Sequence, residues 1–121
     1  MNEIELIVRD WLDDEDLGYP VYLELPESVK NPDFAFEPFL IVQKTGSDQN
    51  GHLMKSTIAV QSYGASLYDA LHMNYQVIEK MLHITELNEV TRVEVNSDYE
   101  FTDEATKRPR YQAVFDLTHY L

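Results

Sequence analysis

Apolar positions at Ile4, Ile7, Val8, Trp11 and Leu12 recur every three or four residues. Residues 3–12 are therefore predicted to form a helix with one apolar face. Asp13-Asp14-Glu15-Asp16 follows, then Leu17-Gly18, where glycine can end a helix in the left-handed conformation. Carboxylates at a helix C-terminus oppose the macrodipole. Either the helix ends near Leu12 or the acidic run has a partner elsewhere. After Tyr19-Pro20 the pattern changes to alternation over Val21–Leu25, which predicts a strand that Pro26 ends. Residues 26–35 are polar, with Pro26 and Pro32, and read as a connector. Phe36–Lys44 is a second strand. Its run Leu40-Ile41-Val42 suggests cover on both faces or a central place, and Pro38 sits near its start, where a missing donor is tolerated.

Thr45–Lys55 holds two glycines, an Asn-Gly step and little core material, so it reads as a long, flexible hairpin loop. Ser56–Tyr63 is the third strand, with Ile58, Val60 and Ser62 on one face and Thr57, Ala59, Gln61 and Tyr63 on the other. Ser66-Leu67-Tyr68-Asp69 has the form of a capping box and opens a second helix. Its stripe is Leu67, Ala70, Leu71, Asn74, Val77, Ile78, Met81 and Leu82. Asn74, the one polar member, reads as a rim residue or a satisfied buried amide. A turn at Thr85–Glu89 leads to two last strands, Thr91–Asn96 and Arg110–Tyr120, joined by a polar connector, Ser97–Pro109. The order is α-β-β-β-α-β-β. The expected fold is α+β, a single sheet of about five mostly antiparallel strands with two helices packed on one face, in a single domain over residues 1–121.

Net charge changes this picture. The 121 residues include 22 acidic and 9 basic ones, for a net charge of −13. That argues against tight binding to phosphate backbones, which needs clustered Lys and Arg. Solubility is the plainest role for such a charge. There are no cysteines, so disulfides, thiolate nucleophiles and sulfur-ligated zinc are excluded. The first residues lack the basic and apolar regions of a signal peptide, and no run approaches the roughly 18 apolar residues of a membrane span. A soluble protein made in the cytoplasm is expected.

Candidate chemistry is sparse. The histidines His52, His72, His83 and His119 show no metal-binding spacing, and each reads as a surface or boundary residue. His72 and His83, eleven positions apart on the second helix, are too distant to share an ion. The acidic run lacks the D-x-[DN]-x-[DN]-G loop of a calcium site, and a solvated patch is the default. Asp98, Asp103 and Glu104 beside Lys107, Arg108 and Arg110 read more simply as local ion pairs than as an acid–base pair. No nucleophile elbow, P-loop or dinucleotide fingerprint occurs. No enzyme, cofactor or metal is expected. Eight tyrosines, several near strand ends (Tyr19, Tyr22, Tyr63, Tyr99, Tyr111, Tyr120), suit either interfaces or strand packing.

The pattern N-S-D-Y…K-x-P-R-Y-Q-A-V-[FY]-D, here Asn96 to Asp116, together with Ile58-Ala59-Val60-Gln61-Ser62-Tyr63-Gly64, resembles the tail terminator (tail completion) proteins of long-tailed bacteriophages. Some of these are described as minor capsid proteins. The resemblance implies a small α+β domain that caps the head-proximal end of the tail tube, stops its polymerisation and forms part of the head–tail joining interface. It implies self-association in a ring, as a hexamer, with tail tube protein and a head-completion protein as partners. It places the protein in the virion after assembly in the host cytoplasm. A ring needs an interface that closes on rotation. The expected contact residues are Asp48, Asn50 and His52 in the first long loop, and Asp98, Tyr99, Lys107, Arg108 and Arg110 in the second. DNA would pass the bore without specific binding, and Asp10, Asp13, Asp14, Glu15 and Asp16 are candidates to line it and repel phosphate. Three other readings stay open: a head-closure or connector protein of the same junction, an acidic nucleic-acid mimic that inhibits a basic protein, and a hydrolase centred on Asp98–Arg110.

Overall fold

The computed structural model describes residues 3–27, 37–105 and 107–120. Two helices lie on one face of a five-stranded sheet. The elements run in the expected order: helix α1 (Ile4–Leu12), strands β1 (Val21–Tyr22), β2 (Phe39–Asn50) and β3 (Leu53–Tyr63), helix α2 (Leu67–Met81), then β4 (Val90–Glu100) and β5 (Arg110–Tyr120). A short 3-10 turn, Ile84–Glu86, precedes β4. Across the sheet the order is β1-β2-β3-β5-β4, so β3 is central. β1 pairs parallel to β2, and every other pair is antiparallel. Most of the predicted connector 26–35, and Phe36 at the start of the predicted second strand, lie outside the described residues.

The main core lies between the helices and one face of the sheet. Ile4, Val8 and Leu12 of α1 and Met73, Val77 and Met81 of α2 pack on Leu40, Val42, Ile58, Val60, Ala113, Phe115 and Leu117. Each fully buried aliphatic or aromatic side chain here is worth roughly 1.5–3 kcal/mol over exposure. Ile58, Val60 and Ser62 face this core, as the alternation predicts. On the opposite face Phe39, Ile41 and Tyr63 form a second, smaller cluster, which explains the unbroken apolar run in β2: its first half is covered on both sides.

Helix α1 ends at Leu12, with Asp13 as its C-cap, and Gly18 (φ +76°) closes the next turn by donating to the Asp14 carbonyl rather than ending a helix. Ser66 caps α2, its hydroxyl accepting from the Asp69 N–H at 3.1 Å. The buried side of that helix is Ala70, Met73, Asn74, Val77 and Met81, rotated from the predicted stripe, and Leu67 and Leu82 are half exposed. The cause is a close approach. Gly64 lies so near the first turn that a Cβ there would sit 2.4 Å from the Ala70 nitrogen. The small Ala70 takes the tightest contact and turns Met73 inward. Asn74 is fully buried, and neither of its amide atoms has a hydrogen-bond partner, which corrects the expectation of a rim or satisfied amide.

Three further expectations are corrected. β1 pairs over two residues only, not over Val21–Leu25. Thr45–Lys55 is not a long loop: β2 and β3 stay paired up to Asn50 opposite Leu53, leaving the two-residue turn Gly51-His52. Gly51 has φ +65° and His52 a negative φ, the sign pattern of a type II′ hairpin turn. Likewise Ser97–Glu100 belongs to β4, paired up to Glu100 opposite Tyr111. The ribbon continues through Phe101 N–H to Arg110 carbonyl and an isolated bridge between Asp103 and Arg108. In both segments the backbone ladder, not apolar burial, carries the strand beyond the hydrophobic pattern.

Candidate assembly surface

The two predicted contact segments lie at opposite ends of the sheet. Asp48, Asn50 and His52 sit where β2 turns into β3, level with Tyr120 at the end of β5. Asp48 is exposed opposite Lys55, and His52 is exposed in the turn. Asp98, Tyr99, Lys107, Arg108 and Arg110 belong to the β4–β5 ribbon at the other end. The structure groups each set within itself and does not bring the two sets together in one chain.

The β4–β5 end is built around Arg110. Its guanidinium donates to the Tyr63 hydroxyl at 2.9 Å and to the Phe101 carbonyl, and stacks 4.2 Å from the Phe101 ring centroid. Tyr99 meets Phe101 edge-on at 5.8 Å and accepts a hydrogen bond from Gln112, which in turn accepts from Gln61 at 2.9 Å. Phe39 stacks on Tyr63 at 4.5 Å, and Tyr22 lies against Phe39. An aromatic and amide network thus spans the helix-free face from β1 to β4. Burial pushes the Tyr63 phenol above its usual pKa, and the Arg110 guanidinium pulls against that shift. At the ribbon tip, Lys107 (φ +60°) pairs with Glu104 at 3.3 Å. Asp98 is exposed on β4, and Arg108 faces Asp103 across the backbone bridge.

The acidic run divides in two. Asp13, Glu15 and Asp16 are exposed, and Asp10 pairs with the neighbouring Arg9 at 3.0 Å. Asp14 is instead bound into the fold. Lys80 of α2 donates to it at 2.6 Å, and the Asp16 N–H donates to its other oxygen at 2.7 Å. The Lys80 hydrogen bond, with smaller help from Asp16, holds the Asp14 carboxyl below its ordinary value. Lys80 also lies 4.5 Å over the Trp11 ring, while the Trp11 indole donates to the Lys80 carbonyl at 2.8 Å. The partner sought for the acidic run is therefore Lys80, 66 positions away in sequence.

His119 corrects its surface assignment. It is buried, with Nε2 2.8 Å from the Ser56 hydroxyl and Nδ1 2.9 Å from the Tyr120 carbonyl. With the proton placed on Nδ1, the imidazole accepts from Ser56. Ser56 is 1% exposed and His119 6%, both on the helix-covered face, so a substrate has no approach to the pair. Asp116 lies on the other face, where Thr57 and Asn96 each donate to it at 3.0 Å. The contact is a tie between β3 and β5. Among the described residues no three His, Cys, Asp or Glu side chains are grouped to hold a metal ion, and no helix is long and apolar enough to cross a membrane. Sequence reasoning missed Ser56–His119 and Asp14–Lys80 because both join residues far apart in the chain.

The chain is thus a two-layer α+β fold with polar ribbons at both ends, and its Ser56–His119 pair is closed off beneath the helices. No family profile matches this sequence, and no curated protein matches it. Among solved structures, it is similar to a chain in the virion of the native gene transfer agent particle. The TM-score is 0.63 at 15% identity, over 98% of this chain and 95% of that one. At this identity the likeness shows a shared fold.

Proposed function

We propose that this chain is a structural protein of a phage-type virion, a tail terminator that caps the head-proximal end of the tail tube as a ring. The observation that carries the reading is the end-to-end fold match to a gene transfer agent virion chain. It covers the whole architecture rather than one motif. The station at the tube end rests on the resemblance in Ile58–Gly64 and Asn96–Asp116. These segments form the central strand with its glycine seat and the Arg110-braced ribbon. The surface supports assembly rather than turnover: polar ribbon ends, exposed Tyr99 and Phe101, and a buried Ser–His tie. In the ring, tail tube protein and a head-completion protein occupy the two rims. The exposed carboxylates Asp10, Asp13, Glu15 and Asp16 face the DNA path, with Asp14 fixing their turn to α2.

The test is the mass in solution by light scattering, alone and mixed with the tail tube protein of the same particle. A ring-sized species, or a complex that limits tube length, is expected. A monomer that neither binds the tube protein nor alters tube length would overturn the reading. A chain that instead binds the head-side adaptor and leaves tube length unchanged is a head-closure protein.

A further inference from the structure

Among the described residues, both margins of the sheet are open over most of their length. β1 covers β2 only at Leu40 and Ile41, leaving Gln43–Asn50 without an outer neighbour among the described residues. At the other margin β4 has no outer neighbour along Val90–Glu100 among the described residues. Gln43–Gln49 is exposed, and Gly46-Ser47-Asp48-Gln49 contains no apolar residue, yet the segment stays in the ladder with β3. An exposed row of unpaired N–H and C=O groups is a template for a further strand.

The directions are compatible. β2, β3, β5 and β4 alternate, so β2 and β4 run in opposite senses. Rotation of a copy about an axis along the strands leaves the direction of β2 unchanged. The β2 edge of one copy therefore meets the β4 edge of the next antiparallel, in the ladder geometry the sheet already uses. The two edges are different surfaces, so the contact is heterologous and generates a ring when the rotation closes.

Bulges and charge select the register. The ladder is interrupted between Lys44 and Gly46 in β2, and in β4 between Val90 and Arg92 and between Val95 and Ser97. Unbroken stretches remain at Gly46–Asn50, Arg92–Val95 and Ser97–Glu100. Asp48, Lys55, Thr118 and Arg92 occupy one row across the sheet and so share a face. Arg92, with a side chain 71% exposed, puts a cation on the β4 edge on the face where β2 presents Asp48. Ser97–Glu100 offers two carboxylates and no cation. Opposite charges on facing strands attract, and like charges repel.

We propose that Gly46–Asp48 of one copy pairs antiparallel with Arg92–Glu94 of the next, Asp48 beside Arg92, so that one sheet continues from copy to copy around the ring. This rests on the ring reading above and names its interface. The Arg92 guanidinium is then shared between its present partner, Glu94, and Asp48 of the neighbour.

The absence of cysteine makes the test clean. Residues 48 and 92 of one chain are three strand spacings apart, about 14 Å, too far for a disulfide within a molecule. Facing residues of an antiparallel pair are within reach of one. The Asp48→Cys/Arg92→Cys variant, oxidised with diamide, should give a ladder of cross-linked species that reductant collapses. Asp48→Cys/Asp98→Cys should give little. Separately, Asp48→Arg and Arg92→Asp should each weaken association about tenfold or more, and the double exchange should restore it. An oligomer by light scattering without the 48–92 cross-link and without restoration would overturn the edge pairing while leaving the ring. A monomer at every concentration, with no cross-link, would overturn both.

Discussion

Asp14 shows how one residue in a uniform run acquires a separate role. Its neighbours are solvated, whereas the Lys80 ammonium binds its carboxylate and depresses its pKa. A carboxyl with a folded-state pKa below its unfolded value stabilises the fold above the unfolded value. That stability is lost as pH falls from about the ordinary 3.8 through the folded pKa. Asp14→Asn should therefore be less stable than the parent near neutral pH, with the difference shrinking once pH falls below that value. Urea midpoints of both proteins across a pH series measure this. A constant difference down to the acid transition would show that the Lys80 contact contributes nothing through charge. The run was legible as acidic, but not which member was bound, because nothing local distinguishes Asp14 from Asp13 or Glu15.

Elements were legible where their determinants are local. The Ser66 cap, the α1 stripe and the alternation of Ile58, Val60 and Ser62 each depend on neighbours within a few residues, and each holds. The rotation of α2 was not legible, because it follows from the approach of Gly64 to Ala70. Gly64→Ala should push the helix off its seat and destabilise the protein by about 1–3 kcal/mol, read from chemical denaturation. An unchanged midpoint would mean that the backbone yields there without cost. The strand ends were misplaced for a related reason. Gly46–Asn50 and Ser97–Glu100 are polar, and only the ladder to a partner strand keeps them extended.

At the scale of the whole molecule, the net charge of −13 works against any ring of identical copies. Long-range repulsion between exposed charges is screened with a Debye length of about 10 Å at 0.1 M salt. A backbone ladder across the interface is not screened in this way, and a single exposed ion pair such as Asp48–Arg92 is worth at most about 1 kcal/mol. Self-association should therefore strengthen from low to moderate ionic strength, as sedimentation would record. Dissociation over the same range would mean that ion pairs between copies, rather than strand pairing, hold the assembly.

By itself the sequence determined the class of the protein: the order of two helices and five strands, the face of β3 turned to the core, the capped start of α2 and the lack of thiol chemistry. These follow from periodicity and residue type, which act over a few positions. Only the tertiary structure decided the parallel pairing of β1, the length of both ribbons, the Asp14–Lys80 and Ser56–His119 contacts and the burial of Asn74. It also decided which strands lie at the margins of the sheet among the described residues. Each of these depends on groups distant in the chain being brought within a few ångströms, and no local pattern records that distance.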